Sequence, residues 1–163
     1  MSEKFTFFFR EESPFSQWHR VRFTINGQEF NCCEQAMMYA KAVMFGDNVV
    51  AEKILNTSKP YEQKMLGRKV ANFNKDIWDA NCKQIVYEAN HAKFTQNPEL
   101  LKKLLATEGT TLAEASPYDR IWGIGLASTN PRALDRNKWL GTNWLGEILT
   151  QLREDLIQKG AAV

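Results

Sequence analysis

The chain has 163 residues, 44% hydrophobic and 25% charged, with a formal net charge of +2 and a pI near 8.4. These values suit one domain over residues 1–163, able to bury about two thirds of its unfolded surface. They exclude a transmembrane helix, since no apolar run approaches about 20 residues, and they fall short of the dense positive stripe of a dedicated nucleic-acid binder, leaving contact with an anionic substrate open.

The start, "MSEKFTFFFREE", carries an apolar patch that is too short for a signal peptide and is followed by acids, which leads us to expect a cytoplasmic protein, or a nuclear one in a eukaryote. Three cysteines, two of them the vicinal Cys32 and Cys33, do not make a disulfide framework, so reduced thiols are expected. The two histidines, His19 and His91, have no spacing that pairs either with cysteines or carboxylates. Neither a metal site nor a histidine triad is expected, and no cofactor motif is present. Chemistry must then come from carboxylates, lysine or cysteine.

In chain order, "KFTFFFRE" reads as a buried strand, and "HRVRFTINGQEF" as a hairpin turning at Asn26-Gly27. A helix follows at once through "CCEQAMMYAKAVMFGD". A short helix is expected from Val49 to Leu55, and another begins at Pro60 with Met65 and Leu66 facing inward. From about Asp76 to Phe94, Ile85, Ala89 and Ala92 recur at helical spacing, and Asn97-Pro98-Glu99 restarts a helix whose stripe is Leu100, Leu101, Leu104 and Leu105. "TTLAEAS" reads as a return strand, "PYDRIWGIG" as a tight loop, and Leu126 to Gly141 as a long irregular segment that Trp139 should keep ordered. The last helix spans about Asn143 to Gln158, with Leu145, Ile148, Leu149, Leu152 and Leu156 on one face. Gly146 in its first turn points to close approach of backbone or ligand. The tail "KGAAV" is expected to fray.

Within the first helix, Glu34 and Lys41 stand seven residues apart, about two turns, and share a face with Met37 and Met38 between them. That face could be an ordinary solvated stripe, but its neighbours are Met, Ala, Tyr and Val rather than Lys, Glu and Gln. A half-buried carboxylate near a half-buried amine is also where pKa values shift and chemistry begins. Three other stretches gather an aromatic, a small polar group and a permissive backbone: "SPFSQW" (Ser13 to Trp18), "SPYDRIWGIG" (Ser116 to Gly125) and the approach from Trp139 to Asn143. The mixture suits a planar or sugar ligand, although Ser-Pro and Gly-x-Gly are also ordinary turn signals. "WGIG" is not a dinucleotide fingerprint, and Cys33 reads as a small apolar residue at a helix start rather than a nucleophile.

Taken in order, "SPFSQW", Cys33-Glu34 with Lys41, "GRKV" (Gly67 to Val70), Trp78, Lys93-Phe94, "LAEASPYDRIWGIG" and "WLGTNWLGEIL" resemble the NADAR, or YbiA-like, family over roughly Phe7 to Leu156. The resemblance implies an α+β fold, mostly helical, with a small antiparallel sheet. It implies hydrolysis of an N-glycosidic bond at a ribose, either in phosphoribosylamino pyrimidines of early riboflavin synthesis or in ADP-ribose attached to guanine. It places Glu34, Lys41 and Asp119 as catalytic residues. Phe15, Ser16, Gln17, Trp18, Met38, Trp78, Trp122, Gly123, Gly125 and Asn143 would contact the ligand, with Arg10, Lys59 and Arg68 as candidates for its diphosphate. Gln17 stands where the family has Asn, which keeps a donor and an acceptor and adds a methylene. Cys33 stands where a small hydroxyl residue is common.

On this resemblance Lys41 would form a Schiff base with an opened ribose while Glu34 or Asp119 shuttles protons, or water would attack directly with Glu34 as base. ADP-ribosylated guanine, in DNA, RNA or a nucleotide, is the favoured substrate, and the protein is expected to be a monomer without a membrane partner. The competing readings are a module that binds ADP-ribose or an NAD derivative without turnover, and a purely structural protein.

Overall fold

The computed structural model describes residues 2–161. Among them six α-helices and four short strands give an α+β, mostly helical fold, and no helix is long and apolar enough to cross a membrane. The chain forms two compact units, Gln17–Gln96 and a second built from the segments on either side of it.

The Gln17–Gln96 unit opens with the hairpin of β2 (Phe23–Ile25) and β3 (Gln28–Phe30), antiparallel with Phe23 opposite Phe30. Asn26 and Gly27 both have positive φ, +50° and +82°, the backbone of a tight hairpin turn that Asn-Gly accommodates with little strain. Phe23 and Phe30 then pack on Cys33, Ala36, Ala89 and Ala92, which ties the hairpin to helices α1 (Cys33–Met44) and α4 (Lys75–Thr95). Between these come α2 (Asn48–Leu55) and α3 (Pro60–Gly67). Asp47 accepts from the amides of Val50 and Ala71, so one side chain caps α2 and pins the loop before α4. That double bond to main-chain donors holds its carboxyl below the usual range.

Helix α3 departs from its sequence pattern. Met65 and Leu66, expected to face inward, are only half-buried, and the buried residues are Pro60, Gln63 and Gly67. The cause is a close approach of helices: a Cβ on Gly67 would stand 1.9 Å from Met38 Sδ of α1. The Gly67 face must therefore turn inward, and it carries Gln63 with it, one turn earlier. Gln63 is wholly buried and satisfied, donating to Asn31 Oδ1 and the Thr57 carbonyl and accepting from Cys32 Sγ.

In the second unit β1 (Phe5–Phe8) pairs in parallel with β4 (Thr111–Glu114), Phe5 opposite Thr111. The expected antiparallel sheet is thus the hairpin alone, and the first strand belongs to a separate pair with the return strand. Helix α5 (Pro98–Leu105) buries Leu100, Leu104 and Leu105, with Leu101 half-buried at the stripe's edge. Helix α6 (Trp144–Gln158) buries all five leucine and isoleucine positions read from its sequence. A Cβ on Gly146 would meet the Leu112 carbonyl at 2.2 Å, so the close approach there is of backbone. The segment from Leu126 to Gly141 is ordered by 3-10 turns at Pro131–Leu134 and Arg136–Lys138 and by Trp139, whose indole donates to the Ala133 carbonyl at 2.9 Å. Of the tail expected to fray, residues 162–163 lie outside the described residues.

Candidate active site

Helix α1 starts without a side-chain cap. Cys32 is extended at the cap position, and the amide of Glu34 donates instead to the main-chain carbonyl of Gln17 at 2.9 Å. This substitute for a cap fixes the "SPFSQW" exit against the first turn of the helix. Trp18 then reaches Glu34, its indole Nε1 donating to Oε1 at 2.9 Å. Glu34 is 6% exposed, and Met37 and Met38 are each 7% exposed, so the face is not a solvated stripe. A carboxylate so placed is costly to bury without hydrogen bonds, and the tryptophan supplies one.

Lys41 ends the same face, half-buried beneath aromatics. Its Nζ lies 4.6 Å from the Phe73 ring centroid and 5.7 Å from that of Trp78, and Phe73 is itself held edge-on by Phe45 at 5.4 Å. Burial pushes the Lys41 amine below the ordinary lysine range; Glu34 acts in the opposite sense and the charge of Arg68 adds to the lowering. The neutral amine is less disfavoured here than in an exposed lysine. This is the property that a nucleophilic lysine needs.

Gln17 supplies a further feature. It is 8% exposed, and its Oε1 accepts from Asn90 Nδ2 at 2.9 Å. The orientation of Asn90 is fixed in turn, because its Nδ2 also donates to the Val86 carbonyl and its Oδ1 accepts from Cys33 Sγ. Gln17 Nε2 is left buried with no hydrogen-bond partner among the described residues. Such a donor costs on the order of 1–3 kcal/mol unless an acceptor arrives. The Cys33 thiol is pushed up to about 11 and that of Cys32 to about 12, both chiefly by burial, so neither supplies a ready thiolate.

Of the remaining site residues read from sequence, Lys59 and Arg68 are exposed in the Gln17–Gln96 unit, and the others lie in the second unit, where Asp119 and Asn143 are taken up by structure. Asp119 Oδ1 accepts from the amides of Ile121 and Trp122 at 2.9 and 2.8 Å, shaping the loop. Trp122 is half-buried, edge-on to Trp144 at 5.5 Å. A Cβ on Gly123 would stand 2.9 Å from the Glu114 carbonyl, and Gly125 has φ of +75°, so both glycines answer backbone needs. Asn143, fully buried in the left-handed region with φ of +52°, donates from Nδ2 to the Leu112 carbonyl and accepts at Oδ1 from the Glu114 amide. Both ends of its amide are committed to β4, which gives it a structural task where the sequence placed a ligand contact. Phe15 is buried edge-on against Phe8 at 5.8 Å, and Ser16, also buried, donates its amide to the Ser13 carbonyl. Arg10 is exposed with φ of +74°, its guanidinium 5.7 Å from the Phe9 ring. Among the described residues no group of histidine, cysteine and carboxylate side chains could hold a metal.

The family profile of the NADAR domain matches residues 6–157. The chain belongs to the NADAR family. It is 48% identical over 146 residues to N-glycosidase R617 of Acanthamoeba polyphaga mimivirus, covering 86% of each protein. It is 33% identical to the riboflavin biosynthesis protein PYRR of Arabidopsis thaliana over 65% of this chain, although it spans only 16% of that protein. Among solved structures, the NMR structure of Escherichia coli YbiA superposes with a TM-score of 0.79 at 27% identity, covering all of this chain and 91% of YbiA. Within this NADAR domain, Phe73 and Lys64 beside the α1 face were absent from the sequence reading. An aromatic in a polar run, "ANFNKDIW", is the one signal that could have flagged Phe73.

Proposed function

We propose that this NADAR domain is an N-glycosidase that cleaves the bond between a ribose and a nitrogenous base, and that the α1 face of Glu34 and Lys41 carries the reaction. The observation that carries the reading is a buried carboxylate oriented by Trp18 on the same helix face as an amine of lowered pKa under two aromatic rings. The name of R617, as an N-glycosidase, supports the reaction class.

Cleaving an N-glycosidic bond places positive charge on the sugar and negative charge on the departing base, so the site must stabilise one and protonate the other. In this mechanism the neutral Lys41 amine bonds to the anomeric carbon and the carbon–nitrogen bond to the base breaks. The base leaves with a proton that the attacking amine gives up and Glu34 relays, so that sugar and lysine are joined as a glycosylamine. The bond from the anomeric carbon to the ring oxygen then breaks, that oxygen takes the remaining amine proton, and the opened sugar is held as an imine. Water adds to the imine carbon, the carbon–lysine bond breaks, and free sugar and amine are regenerated with one water consumed. Direct attack by water with Glu34 as base is the other course, in which no lysine adduct forms. Gln17 Nε2 is suited to hold a substrate oxygen beside Glu34.

For substrate, the reading is ADP-ribose on guanine, whose flat base suits the exposed Phe73 and the half-buried Trp78. The likeness to PYRR favours phosphoribosylamino pyrimidines as the second candidate. The test offers both to the native protein and follows the products by chromatography. Release of ADP-ribose from a guanine oligonucleotide is the expected result. Release from the pyrimidine alone would move the substrate to the second candidate, and release from neither would overturn the enzymatic reading in favour of a binding module.

A further inference from the structure

Asparagine is a poor choice inside a helix, where its side chain competes with the main chain for hydrogen bonds. Helix α4 nevertheless carries Asn90 on its buried face, beside Val86 and Ala89, and the residue is wholly enclosed. A leucine would suit a helix packed on Phe23, Phe30 and Cys33 without the burial of an amide. The amide instead sets a direction. The Val86 carbonyl can only accept, so the Asn90 atom that meets it at 2.9 Å is Nδ2. The other end, Oδ1, lies 3.6 Å from Cys33 Sγ, and burial keeps that thiol in its protonated, donating form. A single orientation of Asn90 satisfies both neighbours.

The remaining Nδ2 proton is directed at Gln17, 2.9 Å away, so the Gln17 atom that faces it must be the acceptor Oε1. Turning the Gln17 amide over would set one NH2 group against another. Polarity fixed at a helix carbonyl therefore passes through Asn90 and Gln17 and emerges at Gln17 Nε2 as a donor. Buried amide groups are nearly always bonded, and a network built only for stability would close. This one ends open: Gln17 is 8% exposed, and its Nε2 has no partner among the described residues. The open end belongs to a residue anchored at the first turn of α1. Its main-chain carbonyl accepts from the Glu34 amide, and the next residue, Trp18, holds Glu34 Oε1.

We propose that Asn90 is a positioning residue of the site: through Gln17 it presents a fixed N–H donor to a ligand oxygen and disfavours a ligand that carries a donor at that point. The ligand role rests on the glycosidase reading; the polarity of the relay does not.

The relay is read first in the native protein. Neutron diffraction from crystals of the perdeuterated chain should place deuterium on the Gln17 side-chain atom remote from Asn90 and none on the atom facing it. The reverse assignment would overturn the proposal. Calorimetric titration with ADP-ribose then reads the consequence, with melting curves confirming that each variant is folded. Asn90→Leu and Gln17→Met should each weaken binding by about three- to tenfold. The double variant should bind no more weakly than Gln17→Met alone, because Asn90 acts only through Gln17. A loss in the double variant equal to the product of the single losses would make Asn90 a structural residue and overturn the proposal. So would native affinity in Asn90→Leu. Binding of ADP-ribose without its release from a guanine oligonucleotide would sink the glycosidase reading and leave the relay standing. A native protein that binds neither ADP-ribose nor ribose 5-phosphate would overturn the ligand role of Gln17 and Asn90 together.

Discussion

The two units of this NADAR domain treat the candidate site residues read from sequence differently. In the Gln17–Gln96 unit a carboxylate, an amine and an amide nitrogen are kept in buried or half-buried places with few structural duties. In the other unit Asp119 and Asn143 are engaged by main-chain groups, and Arg136 is held between Glu3 and Glu147 while lying over Trp139. The lesson is that a polar residue in a motif is a candidate for chemistry only once its hydrogen bonds are accounted for.

The sharpest way to break this comparison is at Glu34. Glu34→Gln, close in shape, should lower turnover by about 10²–10⁴-fold if the carboxylate moves a proton, with little change in the melting curve. A drop in stability without a drop in turnover would make Glu34 a structural residue. Asn143→Ala should do the reverse. It strands the Glu114 amide and the Leu112 carbonyl, at a cost of about 2–5 kcal/mol readable by denaturant titration. A loss below about 0.5 kcal/mol would show that its amide is not structural.

Smaller effects sharpen the contrast. Asp119→Ala removes the acceptor for two loop amides and should cost about 1–2 kcal/mol, whereas Asp119→Asn keeps that acceptor and should restore the stability. Turnover by the Asn variant reads the sequence's catalytic assignment separately. Arg68→Ala should raise the Lys41 pKa by removing a like charge. If activity needs the neutral amine, it rises with pH through that pKa, so the rising limb of the profile should move to higher pH. An unmoved or downshifted limb would mean that the limb does not report Lys41. Gln17→Met should raise KM by about three- to tenfold, since one donor to substrate is lost; an unchanged KM would leave the buried amide without a ligand role.

The sequence disclosed much of this because helical spacing is a strong signal. Glu34 and Lys41 lie on one face simply because seven residues are about two turns, and the five apolar positions of α6 follow the same rule. Gly146 was legible as a close approach, since glycine inside a helix needs a reason. Other features rest on tertiary contacts that no local pattern carries. The parallel pairing of β1 with β4 joins residues more than 100 apart, while the hairpin pairing was written in Asn26-Gly27. Met65 and Leu66 misled because Gly67 against Met38 sets the rotation of α3. The duty of Asn143 was invisible because its partners are strand backbone 29 and 31 residues away.

The most direct measurement of the central claim is mass spectrometry of the protein turning over its substrate in the presence of borohydride, beside the same experiment on Lys41→Ala. The account predicts a reduced sugar adduct on the peptide bearing Lys41, absent from the variant, which should be folded and inactive. A protein that turns over at full rate with no trapped adduct, or an adduct that persists in Lys41→Ala, would contradict it.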